Sequence, residues 1–150
     1  MICFWIDKGC MKKQVSPPEY EVLRVRSIAD IQAAESLMES ELYDHAMEQC
    51  HFGLEKIMKA ALIKHGMTPP QSGADGHNLL KICNTKASGR KILLAAIKSN
   101  STMLQYWEKV HSKWDTDFRY SFMGLEPGDY DDLFEAYRGL VGWIRIKLVE

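Results

Sequence analysis

The sequence lacks several features that would define its function directly. No stretch approaches the roughly 20 apolar residues that a membrane-spanning helix requires. The apolar start Met1–Ile6 ends at Asp7 and Lys8, which is too short for a secretory signal. A Gly-rich phosphate loop, an HExxH pair and a GxSxG elbow are also missing. We therefore expect a soluble, cytoplasmic protein with no membrane partner.

Cysteine is sparse and is not arranged for metal binding. The four cysteines, Cys3, Cys10, Cys50 and Cys83, include no CxxC pair and have no histidine at zinc-finger spacing. A chain of this size with an apolar core does not need a disulfide framework. We expect reduced, mostly buried thiols, no metal site and no cofactor.

The sequence also lacks a large excess of positive or negative charge, since the 150 residues carry a formal net charge of −1. No field of the whole molecule would then attract nucleic acid or an anionic membrane. A hydrophobic fraction of 46% and a charged fraction of 26% are typical of a globular domain. Any nucleic-acid site must be a local patch.

The first 26 residues differ from the rest of the chain. Tyr20–Arg26 alternates apolar and charged residues, which predicts a short strand or an extended arm. Pro17 and Pro18 separate it from the apolar start. We predict an N-terminal extension over residues 1–26 and a helical domain over residues 27–150.

From Ser27 onward, apolar residues recur at spacings of three and four, which predicts helices. Serines could cap two of them, acidic residues open the last, and three polar residues mark a kink or a break. The first predicted helix starts at Ser27, and the next two cover Tyr43–His65 and His77–Cys83. A fourth helix starts at Ser88 and has its kink or break at Ser99–Ser101, and the last helix begins at Asp129. The fold class is all-α: an antiparallel four- to five-helix up-and-down bundle with a short N-terminal extended arm.

Two glycines, Gly139 and Gly142, fall inside the last predicted helix. Each costs about 1 kcal/mol relative to alanine in a helix interior. Close approach of another helix, from this chain or from a second subunit, would offset that cost.

Two residues of the middle region are candidates for phosphate binding. Lys59 lies four residues after Glu55, so the two favour an ordinary helical ion pair. The alternative is that Lys59 directs its charge at a phosphate. His77 opens a predicted helix, where it either has a structural role or helps the helix N-terminus to bind an anion.

The densest polar and aromatic group is Arg119–Tyr120, after Trp114. A guanidinium beside a phenol can bind phosphate bidentately and stack a base. The alternative is bundle packing, with Asp115 or Asp117 neutralising Arg119.

In the order and spacing of these pieces, the sequence resembles the HEPN domain family over roughly residues 30–150. The pieces are Ala34–Met38, Tyr43–Ala46, Gln49–Leu62 with its glutamate-lysine and lysine-alanine-alanine-leucine series, His77–Leu80, and Arg119–Tyr120. The resemblance implies an antiparallel bundle that commonly forms homodimers. It also implies nucleotide or RNA binding, often beside a nucleotidyltransferase partner in toxin–antitoxin systems.

Many members of the family are metal-independent ribonucleases that use an arginine followed four to six residues later by a histidine. Here no histidine follows Arg119, and the group expected to handle protons is missing. Our leading hypothesis is therefore binding without catalysis, in a groove lined by Lys59, His77, Arg119 and Tyr120. One alternative is a ribonuclease with Arg119 as its electrostatic stabiliser and a displaced histidine, for which His77 and His111 are the candidates. The other is a bundle that only contacts other proteins.

Overall fold

The computed structural model describes residues 17–71, 76–113 and 124–150. All regular secondary structure in these ranges is helical, apart from one isolated bridge between Ala87 and Arg90. The helices are α1 Glu19–Glu39, α2 Tyr43–Lys64, α3 Leu79–Cys83, α4 Ile92–Lys98, α5 Ser101–Lys113 and α6 Pro127–Ile144, which a π-helical turn, Arg145–Val149, continues. The predicted all-α bundle is confirmed.

The central element is α2, which packs against α1, α3, α4, α6 and the π-helical turn. Its apolar side chains, among them Leu54, Ile57 and Met58, are fully buried. They recur at the three-four spacing that predicted this helix from Tyr43 to His65. Gly66, with φ of 78°, ends it in the left-handed region that glycine favours.

The predicted strand or arm at Tyr20–Arg26 is wrong, because these residues form the first turns of α1. The apparent alternation covers only seven residues, whereas Tyr20 and Leu23 continue a helical spacing towards Ile31 and pack against the core. An ion pair of 2.9 Å between Arg24 and Glu21 also lies along the helix. The helical body therefore starts at Glu19, and residues 1–16 lie outside the described residues.

Ser27 does not cap a helix but lies in the middle of α1, fully buried. Its hydroxyl donates a hydrogen bond of 2.6 Å to the backbone oxygen of Gly53 on α2. A Cβ on Gly53 would lie 3.2 Å from the backbone oxygen of Ser27 and 3.2 Å from Cδ1 of Ile31. The two helices are therefore in close contact here, and the absence of a side chain at Gly53 permits that contact.

Ser88 does not cap a helix either. It forms a two-residue turn with Gly89, with φ of 51° and 77°, closed by two backbone hydrogen bonds between Ala87 and Arg90. Positive φ at both central residues is the geometry of a type I′ hairpin turn. The predicted break at Ser99–Ser101 is present, because α4 ends at Lys98 and Asn100 accepts hydrogen bonds from the first backbone amides of α5.

Gly139 supports the prediction of a close helix approach. A Cβ at this position would lie 2.5 Å from Cε2 of Tyr106 on α5. Gly142, by contrast, has no atom of the described residues within 4 Å of its would-be Cβ. The approaching helix at Gly139 thus belongs to the same chain.

The end of the chain is tied to α2. Lys64 donates to the backbone oxygen of Val149, and the His65 Nε2 lies 3.1 Å from the oxygen of Leu148. Among the helices in the described ranges, none is both long and apolar enough to cross a membrane.

Candidate functional site

Three polar side chains follow one another along a single face of α2. His51, Glu55 and Lys59 are spaced by four residues, so they stack one helical turn apart. His51 is fully buried, and Glu55 is only 7% exposed. We call these three residues the polar stripe.

Glu55 holds the imidazole of His77, which lies just before α3. The Nδ1 atom of His77 is 3.1 Å from Oε2 and 3.2 Å from Oε1 of Glu55. An ionised carboxylate only accepts hydrogen bonds, so Nδ1 is the nitrogen that carries the proton. The His77 side chain is 47% exposed, so part of the ring is open to another group while Nδ1 is bound to Glu55.

His51 fixes the backbone of the same residue. Its Nε2 lies 3.2 Å from the backbone oxygen of His77. Because a carbonyl oxygen only accepts, His51 donates from Nε2. His77 is thus held at two points by α2, through its ring and through its backbone.

Lys59 completes the stripe, with its ammonium 2.9 Å from Oε1 of Glu55. The predicted ion pair is present, and the Lys59 side chain is only 14% exposed. Lys59 also lines a cavity of about 160 Å³ formed with Glu19, Ile63 and residues 69–71. Its positive charge therefore neutralises Glu55 beside His77.

A second cavity, of about 410 Å³, lies at the start of α2. Tyr43 and Tyr130 stack there with ring centroids 5.1 Å apart, and the Tyr130 hydroxyl donates to Asp44 at 2.7 Å. Burial, followed by that hydrogen bond, raises the pKa of Tyr130 to about 12. Glu41, Asp44 and His45 also line this cavity, and the two carboxylates outnumber the histidine, so its charge does not favour phosphate.

Of the predicted site residues, the structure brings Lys59 and His77 together around Glu55. Arg119 and Tyr120 lie outside the described residues. The sequence reasoning missed the roles of Glu55 and His51. Their four-residue spacing with Lys59 was a signal, but the contact of Glu55 with His77 joins positions 22 residues apart, which helical periodicity does not reveal.

The contacts of His77 with Glu55 and His51 determine which chemistry its ring can perform. A histidine whose Nδ1–H is bound to a carboxylate presents an unprotonated Nε2 when neutral and a hydrogen-bond donor when protonated. It can therefore bind an anion as imidazolium or accept a proton as imidazole. The buried carboxylate and the buried histidine fix its orientation.

The sequence pattern of the HEPN domain matches residues 20–147. The chain belongs to the HEPN domain family. The match starts within one residue of α1 and reaches into the π-helical turn, so it covers the whole helical body. HEPN domains are helical and have nucleotide- and RNA-related roles. No curated protein and no solved structure matches the chain.

Proposed function

We propose that this HEPN domain binds a nucleotide, or the phosphate groups of an RNA, at a surface that includes His77. One observation carries the proposal: His77 is held by Glu55 and His51 while its side chain stays 47% exposed. A group fixed in this way loses little conformational entropy when it binds a ligand. The protonated imidazole then donates to a phosphate oxygen.

Lys59 has an indirect part in this proposal. It neutralises the Glu55 carboxylate, which otherwise would repel a phosphate close to His77. Arg119 would bind phosphate bidentately, and Tyr120 would stack on a base or donate a hydrogen bond. These roles are part of the hypothesis for the groove of Lys59, His77, Arg119 and Tyr120.

The test is calorimetry with ATP, GTP and a short RNA on the wild type and on His77→Ala and Arg119→Ala. We expect binding to the wild type and a loss of at least about tenfold in each variant, which corresponds to one charge-assisted hydrogen bond. His45→Ala is the matched control, because His45 is exposed at the start of α2. Absence of binding in the wild type would leave a bundle that only contacts other proteins.

The contact between Glu55 and His77 also favours a second function, metal-independent cleavage of RNA. A carboxylate that accepts from Nδ1 orients the ring and stabilises its protonated form, as a general base requires. His77 would then replace the histidine that does not follow Arg119. In this alternative Arg119 would stabilise the negative charge of the transition state.

Glu55→Gln separates the two functions. Binding of phosphate without catalysis should weaken by less than about tenfold in this variant, because the amide oxygen of the glutamine still accepts from Nδ1 and one negative charge near the phosphate is removed. Cleavage instead falls with the loss of the carboxylate that orients the base. RNA degradation is measured in the presence of EDTA, with circular dichroism to confirm that the variant folds. RNA left intact by concentrated wild-type protein would exclude the ribonuclease function.

We further propose that the domain forms a homodimer and that a nucleotidyltransferase is its partner, as the family association implies. Light scattering coupled to size exclusion measures the first point directly. A mass of 17.2 kDa at all concentrations would contradict it.

A further inference from the structure

One segment of the chain contains several basic residues and no acidic ones. Between residues 76 and 107 there is no aspartate or glutamate, but there are five lysines and arginines, namely Lys81, Lys86, Arg90, Lys91 and Lys98. The formal net charge of −1 therefore combines +5 in this segment with −6 in the rest of the chain. We call these five residues the basic surface.

The fold displays these charges on a defined framework. Lys86 directly precedes Ala87 and Lys91 directly follows Arg90, the two residues joined by the bridge. Together with Arg90 itself, three cations therefore flank the two-residue turn. The ammonium of Lys91 donates to the Asn84 side chain at 3.1 Å. Lys81, Lys86, Arg90 and Lys98 are exposed. The hairpin turn, α3 and α4 together hold the charges in place.

Three of the five basic residues differ from other cations of the chain in their ion pairing. Arg24, Lys56 and Lys59 each pair with a carboxylate at 2.9 Å or less. Within the described ranges, Lys86, Arg90 and Lys98 form no ion pair. Lys91 and Lys98 also act together on Cys83, since both lower the pKa of its thiol against the larger effect of burial.

We propose that the basic surface binds the backbone of a single-stranded nucleic acid. This inference rests on the proposed function, because a strand that runs over the surface begins beside His77, four residues before Lys81. Lys91 and Lys98 are seven residues apart, which on a helix is about 10 Å along one face. That separation allows a strand to place more than one phosphate against α4.

The polarity of the surface favours nucleic acid over an acidic protein. Protein interfaces contain an apolar, aromatic-rich centre, whereas nucleic-acid interfaces are polar and strongly basic. Among the exposed large hydrophobic residues of the described chain, only Leu80 lies in this segment. The segment also contains the small hydrogen-bonding residues Thr85, Ser88 and Ser101.

The test compares a 12-nucleotide single strand with ATP, by fluorescence anisotropy and calorimetry, over a salt series. The charge-reversal variant is Lys86→Glu, Arg90→Glu and Lys98→Glu. Its matched control is Arg26→Glu, Lys109→Glu and Lys147→Glu, three exposed positions outside the basic surface with the same change in net charge. A 12-residue polyglutamate serves as the acidic-peptide probe.

We expect the wild type and the control to bind the strand with a slope of log K against log salt of about −3, from four phosphate contacts. The charge-reversal variant should bind the strand at least about tenfold more weakly, with a shallower slope, and keep its affinity for ATP. If the wild type binds the strand but not ATP, the result would still support strand binding by the basic surface. It would exclude only the proposed nucleotide binding at His77. Equal strand affinity in the two triple variants would overturn the inference. Polyglutamate bound as tightly as the strand would overturn it too, in favour of an acidic protein.

Discussion

Two glycines of α6 have different surroundings although they are only three residues apart. Gly139 faces the Tyr106 ring, and its would-be Cβ lies 2.5 Å and 2.8 Å from two ring carbons. Around the would-be Cβ of Gly142, the part of the chain that the structure describes leaves open space. The sequence predicts a helix approach from the cost of both glycines, but it does not indicate which glycine is contacted, because that depends on the register between α5 and α6.

Alanine at these two positions should change stability with opposite signs. Gly142→Ala should raise the free energy of unfolding by up to about 1 kcal/mol, which is the difference in helix propensity. Gly139→Ala should lower it by about 1–2 kcal/mol, because overpacking against Tyr106 exceeds the propensity gain. Urea unfolding of both variants measures the difference.

Tyr106→Ala provides the control for that prediction. In its background Gly139→Ala should become stabilising, since the clash is gone and the gain in helix propensity remains. If Gly139→Ala destabilises equally with and without Tyr106, the packing described for α5 on α6 is wrong.

At the scale of elements, the long helices could be predicted from the sequence and the caps could not. The apolar stripe of α2 recurs over many turns, so its period is unambiguous. Tyr20–Arg26 is too short for the same test, and its apparent strand pattern is part of α1. Ser27 and Ser88 have the residue type of a cap, but one faces Gly53 on α2 and the other lies in a turn.

The cap of α3 is Asn78, whose side chain accepts a hydrogen bond from the Lys81 backbone amide at 3.2 Å. Asn78→Ala should cost about 1 kcal/mol and loosen α3, which directly follows His77. Hydrogen exchange should accelerate over Leu79–Cys83 while the amides of α2 stay protected. Asn78→Asp retains the cap and should behave as the wild type. Equal exchange in all three proteins would contradict the assigned cap.

At the scale of the whole molecule, an all-α bundle could be predicted because periodicity and the resemblance to HEPN domains agree. Lys59 and His77 both contact the Glu55 carboxylate, so two of the four predicted groove residues share a partner, and the binding of phosphate by this groove stays a prediction. Their common partner Glu55 was not assigned to the site, because a contact across 22 residues is fixed only by the packing of the segment before α3 on α2.

The fold should lose stability at alkaline pH. Burial raises the pKa of Cys83 from 9.0 to about 12, and burial together with Asp44 raises that of Tyr130 from 10.0 to about 12. The folded state therefore holds both protons more tightly than the unfolded chain does. This contribution is complete below pH 9 and is lost as the pH rises from 9 to 12.

Denaturant unfolding at several pH values from 8 to 12 measures this effect. Cys83→Ala should be less stable than the wild type at pH 8, owing to the cavity it leaves. Its decline above pH 9 should be shallower, because one of the buried groups with a raised pKa is removed, while Cys50, Tyr130 and Tyr137 remain. A wild-type stability that stays constant up to pH 12 would contradict the burial of both groups.

We expect His77, held by Glu55, to be the group that binds a phosphate. Nitrogen-detected NMR of the imidazole rings, during titration of the wild type with ATP, measures this binding at the ring itself. In the free protein, neutral His77 should carry its proton on Nδ1, and its Nε2 resonance should shift with ATP while that of His45 does not. A shift confined to His45, or a His77 ring unchanged at saturating ATP, would exclude His77 as the phosphate-binding group.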